Sequence, residues 1–194
     1  MEFQAVFTAL ISLVALTSTI STFAISPSAI SIVDSVKLDI QAISAKFADI
    51  NQRLKDFGNY PWTHLSGLLK LEREIASTTN LIKLKTLTNV GPLSEDDLKA
   101  ILPAFNNLQS SISKTMKLFI AKNPTMREVP IDPNQKIYPT HHVKVNLDTL
   151  LHHITEFEKA FDLPQEPSLR KRFAKIETDI DLAFFEAYNA YYHK

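Results

Sequence analysis

The 194 residues contain no cysteine and only three glycines. The first absence excludes disulfides, thiolate metal sites and cysteine nucleophiles, and the second leaves no glycine-rich loop to cradle a phosphate or a nucleotide. Charge of one sign is lacking as well, since 21 basic residues stand against 21 acidic ones. Without a basic excess nothing points to nucleic acid or to an anionic membrane surface as partner. There is no Gly-x-Ser-x-Gly elbow and no His-Glu-x-x-His pair. The carboxylate pairs Glu156/Glu158 and Asp179/Asp181 are spaced by two, which puts their members on different faces of a helix. His141-His142 and His152-His153 would lie about 16 Å apart on a helix, too far to share one ion. Solvated or partly packed imidazoles, no cofactor and no catalysis are the expectation. The one Asn-x-Thr, Asn123-Pro124-Thr125, has proline in the excluded position, so N-glycosylation is not expected.

What is present is apolar spacing. From Val33 through Val36, Ile40, Ile43, Phe47, Ile50, Leu54 and Phe57 the steps alternate between three and four, the seam of a long amphipathic helix. It predicts a first helix from Ser28 or Ala29 to Phe57, stopping at Gly58. After the turn Asn59-Tyr60-Pro61-Trp62 a second carries Leu65, Leu68, Leu69, Ile75, Ile82 and Leu87 and ends near Gly91-Pro92. The third has the strongest start signal, Ser94 as N-cap with Glu95, Asp96 and Asp97 against the positive end of the dipole. Its face is Leu98, Ile101, Leu102, Phe105, Leu108, Ile112, Met116 and Phe119, with Lys117 and Lys122 near the negative end and a kink expected at Pro103. Four prolines between Asn123 and Pro139 read as a crossover along the bundle or as a lid. The fourth helix carries Val143, Leu147, Leu150, Ile154, Phe157 and Phe161 and closes at Pro164 and Pro167. Ser168 would cap the fifth, whose inner face is Leu169, Phe173, Ile176, Ile180, Ala183, Phe184 and Tyr188. The fold class is therefore all-α, five long amphipathic helices in a single bundle.

The first 33 residues hold one charged side chain, Glu2, and 5–24 are mostly apolar with Ser and Thr mixed in. Thr22-Phe23-Ala24 places small residues where a signal peptidase reads, so residues 1–24 are expected to be a secretory leader, leaving 25–194 as the mature domain. A retained membrane anchor is the competing reading, because no Lys or Arg precedes the apolar run. Without disulfides, a mature chain of this size must rely on side-chain packing.

Two further clusters allow two readings each. Arg170-Lys171-Arg172 in the first turn of the fifth helix could hold an anion, or simply form a solvated face balanced by Glu166. In the tail, Phe184, Tyr188 and Tyr191 or Tyr192 share one stripe and would cap the core, whereas Phe185 falls off it and would suit contact with an apolar surface.

The run Gly91-Pro92-Leu93-Ser94-Glu95-Asp96-Asp97, followed by Ile101-Leu102, Leu108, Ile112 and Lys122-Asn123-Pro124, resembles the fungal hydrophobic surface binding protein A family, also described as cell-wall galactomannoproteins. Asp39-Ile40 and Asp179-Ile180-Asp181-Leu182-Ala183-Phe184 agree as well, so the likeness spans about residues 29 to 192. The resemblance implies a secreted, extracellular fungal protein of bundled helices, with cell-wall association as an option. The Ser/Thr-rich stalk and anchor signal of the longer wall members are missing, and Asn123 stands where a second Lys is common. Implied activities are two: holding a fatty acid or other lipid in the helical interior, or adsorbing to a hydrophobic surface and recruiting a secreted hydrolase. A packed module that meets only protein partners is the third reading. For the first, the expected lining is Phe47, Leu54, Leu68, Ile75, Phe105, Ile112, Met116, Leu150, Phe157, Phe173 and Ile180, with Met116 and the Pro103 kink as the adaptable wall.

Overall fold

The computed structural model describes residues 31–57, 64–87, 93–128, 139–161 and 164–192. The expected leader or anchor, Gly58, the 59–62 turn, the Gly91-Pro92 stop and the proline-rich stretch 129–138 lie outside them. So do the side chains of Leu65, Leu68 and Leu87, although their backbone is helical.

Among the described residues all regular structure is helical: α1 is Ile32–Asp56, α2 His64–Leu87, α3 Glu95–Glu128, α4 Pro139–Lys159 and α5 Pro167–Tyr192. None of these helices is long and apolar enough to cross a membrane. Helix α1 is capped by Ser31, and the expected start at Ser28 or Ala29 lies outside the described residues. The Ser31 backbone is extended, its Oγ accepts from the Asp34 N–H at 3.1 Å, and its hydroxyl donates to the Asp34 carboxylate at 2.8 Å. Ser94 caps α3 as expected from the sequence. Its Oγ accepts from the Asp97 N–H at 3.2 Å while its own N–H donates to Asp97 Oδ2 at 3.0 Å, a reciprocal box that satisfies two orphan donors.

Two boundaries differ from expectation. Helix α3 runs through both Pro103 and Pro124 to Glu128 instead of ending near Asn123. Tertiary contact outweighs the missing proline N–H there: Met126 is fully buried, and Asn123 Nδ2 and Arg127 Nη2 both donate to the carbonyl of Ala190, at 2.6 and 2.8 Å. Helix α5 begins at Pro167, the first-turn position where a proline loses nothing. Glu166, not Ser168, is the cap, since its carbonyl accepts the first helical bond from the Arg170 N–H at 2.9 Å. The Ser168 hydroxyl donates to the Glu166 carboxylate instead.

The helices pack as a ring. α1 contacts α2 and α3, α3 contacts α5, α5 contacts α4, and α4 closes on α2, while α3 and α4 touch only slightly. Neighbours in sequence run antiparallel. Lys46 pairs with Glu74 at 3.0 Å and Lys85 with Asp39, fixing α2 against α1, and His142 Nδ1 lies 2.9 Å from Glu72 Oε1 between α4 and α2. Lys122 Nζ donates to the carbonyl of Phe57 at 2.8 Å, a cation at the negative end of α1. Inside the ring the seams interlock. Phe47, Leu54, Ile75, Ile112, Leu150 and Ile180 belong to one continuous core, each side chain worth about 1.5–3 kcal/mol of burial. Thr115 is fully buried there, and its hydroxyl is shared between the carbonyls of Ser111 at 2.8 Å and Phe47 at 3.3 Å.

Candidate functional site

Packing loosens at the end of the ring where α3 and α5 begin and α4 ends. A cavity of about 240 Å³ lies there, walled by Leu98 and Phe105 of α3, Glu158 and Lys159 of α4, Phe161 and Pro164 just beyond it, and Phe173, Ile176 and Glu177 of α5. Aromatic rings build its wall because the three-four spacing brings a Phe from each helix to the same level. Phe105 meets Phe161 edge-on at 5.2 Å and Phe173 at 5.5 Å, and Phe157 stands 5.2 Å from Phe161 on the core side. Such edge-to-face pairs add about 0.5–1.5 kcal/mol each beyond area burial.

Polar contacts hold the rim. Glu95 Oε1 accepts from the N–H groups of Gln165 and Glu166, tying the first turn of α3 to the connection before α5. Arg170 Nε donates to the carbonyl of Pro164 at 2.9 Å, which fixes the buried Pro164 against the cavity. Glu166 pairs with Lys99 at 3.1 Å and not with the basic triplet, and Lys171 and Arg172 are exposed. The anion reading of Arg170-Lys171-Arg172 therefore gains nothing from the geometry.

One polar group faces this cavity without compensation. Both carboxylate oxygens of Glu158 are buried and neither has a hydrogen-bond partner. Burial pushes its carboxyl up to about 8, and the negative charges of Glu177 and Asp181 on α5 push in the same direction. An un-ionised acid in an apolar recess is a hydrogen-bond donor rather than a charge.

Of the residues expected to line an interior site, Phe105 and Phe173 wall this cavity, and Phe157 packs behind its aromatic wall. Met116 borders a separate groove of about 250 Å³ between α3 and α5, shared with Lys117, Asp179 and Glu186. Phe47, Leu54, Ile75, Ile112, Leu150 and Ile180 belong to the packed core and to none of these walls. A depression of about 430 Å³ beside Lys55, Gln109, Lys114 and Lys117 is larger but more open, and no aromatic ring walls it. The sequence reading missed Leu98, Glu158, Lys159, Phe161, Pro164, Ile176 and Glu177 as cavity residues. A signal for Glu158 was present, for it follows Ile154 by four and precedes Phe161 by three and so stands on the apolar stripe.

The remaining clusters resolve simply. Burial, then the charges of His152 and Lys83, lowers the His153 imidazole below its ordinary value. No group of three His, Asp or Glu able to hold a metal ion occurs among the described residues. Phe184 and Tyr191 are buried, with the Tyr191 hydroxyl donating to the carbonyl of Phe119 at 2.7 Å, and Tyr188 is half-buried. Phe185 is 61% exposed and Tyr192 60% exposed, and the Lys144 ammonium sits 4.0 Å over the Tyr192 ring.

Fold and cavity together define a ring-shaped five-helix bundle with an aromatic recess at one end. The chain belongs to the hydrophobic surface binding protein A family, whose sequence model matches residues 33–161. Among solved structures it is similar to AFMP4P in complex with palmitic acid, with 18% identity and a TM-score of 0.60 over 82% of this chain and 99% of that one. Ligand binding domain 1 of the Penicillium marneffei MP1 protein, complexed with arachidonic acids, is 13% identical with a TM-score of 0.60 over 83% and 99%. Ligand binding domain 2 of the same protein, complexed with multiple arachidonic acids, is 15% identical with a TM-score of 0.59 over 84% and 97%. At these identities the likeness establishes the fold. No curated protein matches the sequence.

Proposed function

We propose that this chain is a secreted, non-enzymatic carrier of fatty acids or similarly shaped lipids, which it takes up at the aromatic cavity between α3, α4 and α5. The observation that carries the reading is the 240 Å³ recess walled by Phe105, Phe161 and Phe173, present in a fold whose solved relatives hold palmitic and arachidonic acids. An acyl tail of about sixteen carbons gains ~12 kcal/mol at ~0.8 kcal/mol per buried CH₂. Ordering and immobilisation cost ~4–15 kcal/mol of that, which leaves room for micromolar or tighter binding.

The recess is small beside ligand sites of roughly 300–1,000 Å³, so a long tail must displace side chains as it enters. The slight contact between α3 and α4 is the route of least resistance. Along it the tail passes Phe157 and stops short of the packed core that holds Phe47, Leu54, Ile75, Ile112, Met116, Leu150 and Ile180. Mass spectrometry of solvent extracts from the purified protein tests the reading. A co-purified lipid, or a thermal shift on adding palmitate, supports it; neither one nor the other would overturn it. Export rests on the leader-like residues 1–24, and the N-terminal sequence of protein recovered from culture medium checks it.

A second reading has one observation of its own. Leu182 is 52% and Phe185 61% exposed one turn apart on α5, an apolar pair suited to adsorption on an oily surface, where a hydrolase could be recruited. Depletion of the soluble protein by polyester beads, reduced in Phe185→Ser, would favour it.

A further inference from the structure

Burying a carboxyl among aromatic rings costs several kcal/mol unless something bonds to it, and folds rarely leave such a group orphaned. Single buried oxygens of Asn51 and Glu95 lack partners too, but Glu158, at the wall of the cavity and on the apolar stripe of α4, has both carboxylate oxygens buried and unbonded. We propose that Glu158 is the head-group residue of the cavity, donating the hydrogen bond of its protonated carboxyl to a carboxylate oxygen of the bound fatty acid.

The surroundings select this chemistry. From α5, Glu177 and Asp181 face Glu158 with negative charge and keep its proton in place. From α4 itself Lys159 lines the same cavity, a cation that pairs with Glu156 at 3.3 Å and carries further N–H donors for an incoming carboxylate. From α3 the wall is apolar, Leu98 and Phe105. A carboxylate entering there meets one donor hydrogen and shares a single proton with Glu158, a charge-assisted O–H···O⁻ bond of the strong kind. Once Glu158 ionises, the same two groups are anions at contact distance and the bond becomes a repulsion. Because burial and its acidic neighbours hold the Glu158 carboxyl up to about 8, the exchange from donor to repeller falls just above neutrality. The cavity thus takes up fatty acid in neutral or acid medium and releases it in alkaline medium.

This inference rests on the carrier reading, and dodecanoate, which stays monomeric in solution, separates the two. Affinity is measured by calorimetry from pH 6 to pH 10 for the wild type, Glu158→Gln and Glu158→Leu. Wild-type affinity should hold below the Glu158 transition at about 8 and fall by about tenfold per pH unit above it. Glu158→Gln keeps a donor that does not titrate, so it should bind within a few-fold of wild type at pH 6 with a flat profile. Glu158→Leu should bind about tenfold more weakly at pH 6, having lost one charge-assisted bond. A flat wild-type profile, or a Gln variant with the wild-type slope, overturns the assignment while leaving the cavity as a lipid site. Failure of all three proteins to bind dodecanoate overturns the carrier reading with it. Dodecylamine bound more tightly than dodecanoate, with that preference abolished in Glu158→Gln, would make Glu158 an ammonium acceptor and refute the proposal.

Discussion

Ile112 and Phe173 occupy equivalent places in the helical pattern, yet the structure gives them different duties, and truncating each to alanine separates core from cavity. Ile112 is fully buried in the meshed interior. Removing its side chain there costs about 2–5 kcal/mol, transfer and residual void together. At about 2–4 °C per kcal/mol for a chain of this size, Ile112→Ala lowers Tm by about 10 °C. Phe173 is half-buried against space that already exists, so its loss removes part of a burial term and one edge contact with Phe105 at 5.5 Å. About 2 kcal/mol, or roughly 5 °C, is the expected cost. Ligand response orders the two variants the other way. With palmitate at about a hundred times Kd, the wild type gains ~2.7 kcal/mol, some 5–10 °C. Phe173→Ala removes a wall of the site and weakens binding about tenfold, so its shift falls to about half. Ile112→Ala keeps the shift in full despite its lower baseline. Thermal unfolding of the three proteins with and without palmitate reads both effects in one assay. An Ile112→Ala protein that no longer responds, beside a Phe173→Ala protein that responds like wild type, would refute the location of the site.

Three smaller expectations follow from the contacts. Ser94→Ala breaks the reciprocal box with Asp97 and should cost ~1 kcal/mol, seen as a Tm lowered by about 2–4 °C. The raised Glu158 carboxyl means that between about pH 4.5 and about 8 the folded chain holds a proton the unfolded chain has released. Stability from this group is therefore complete below that window and declines as pH rises through it. Glu158→Gln should abolish that component of the slope and melt higher than wild type at pH 8.5, as thermal unfolding at pH 5 and 8.5 will show. Asn123→Ala combined with Arg127→Ala removes both donors to the Ala190 carbonyl, about 2 kcal/mol in all. Faster amide exchange over residues 184–192, with little change over α1, should follow.

The helices were legible because three-four spacing is a property of a stripe, and the stripes of α1, α3, α4 and α5 are the core in the structure. The Ser94 cap was legible because its chemistry is local. Boundaries set by distant contacts were not. Nothing within reach of Pro124 in sequence announces that the carbonyl of Ala190 will anchor Asn123 and Arg127, and that contact carries α3 past a proline. Ser168 reads as a cap from its side chain alone, and only the observed start of α5 puts Pro167 in the first turn and leaves Glu166 as the cap. At the site, spacing marked Phe105 and Phe173 as inward-facing but could not distinguish a wall from a filled interior. That difference depends on how several helices meet at one level. A pairwise reading of the carboxylates hides Glu158; set singly against the apolar stripe, it is an acid beside the core positions Ile154, Phe157 and Phe161.

A sealed, dry hollow of about 240 Å³ would cost ~6 kcal/mol at ~24 cal/mol per Å³, comparable to the whole stability of an ordinary domain. Two features of the ring make the recess tolerable. It lies at an end, where the rim held by Glu95, Arg170 and Pro164 opens the wall to solvent, and one wall is a carboxyl that water or a ligand oxygen can bond. The interlocked middle of the bundle supplies the stability that the end does without. Occupancy by an acyl chain would restore the lost dispersion contacts to Phe105, Phe161 and Phe173 and give Glu158 its missing partner at the same time. Site and instability are then the same place, so ligand should protect the start of α3, the end of α4 and the start of α5 from amide exchange more than it protects α1 or α2. Uniform protection of all five helices on adding palmitate would instead mean that the tail occupies the central seam, and that the end recess is only its doorway.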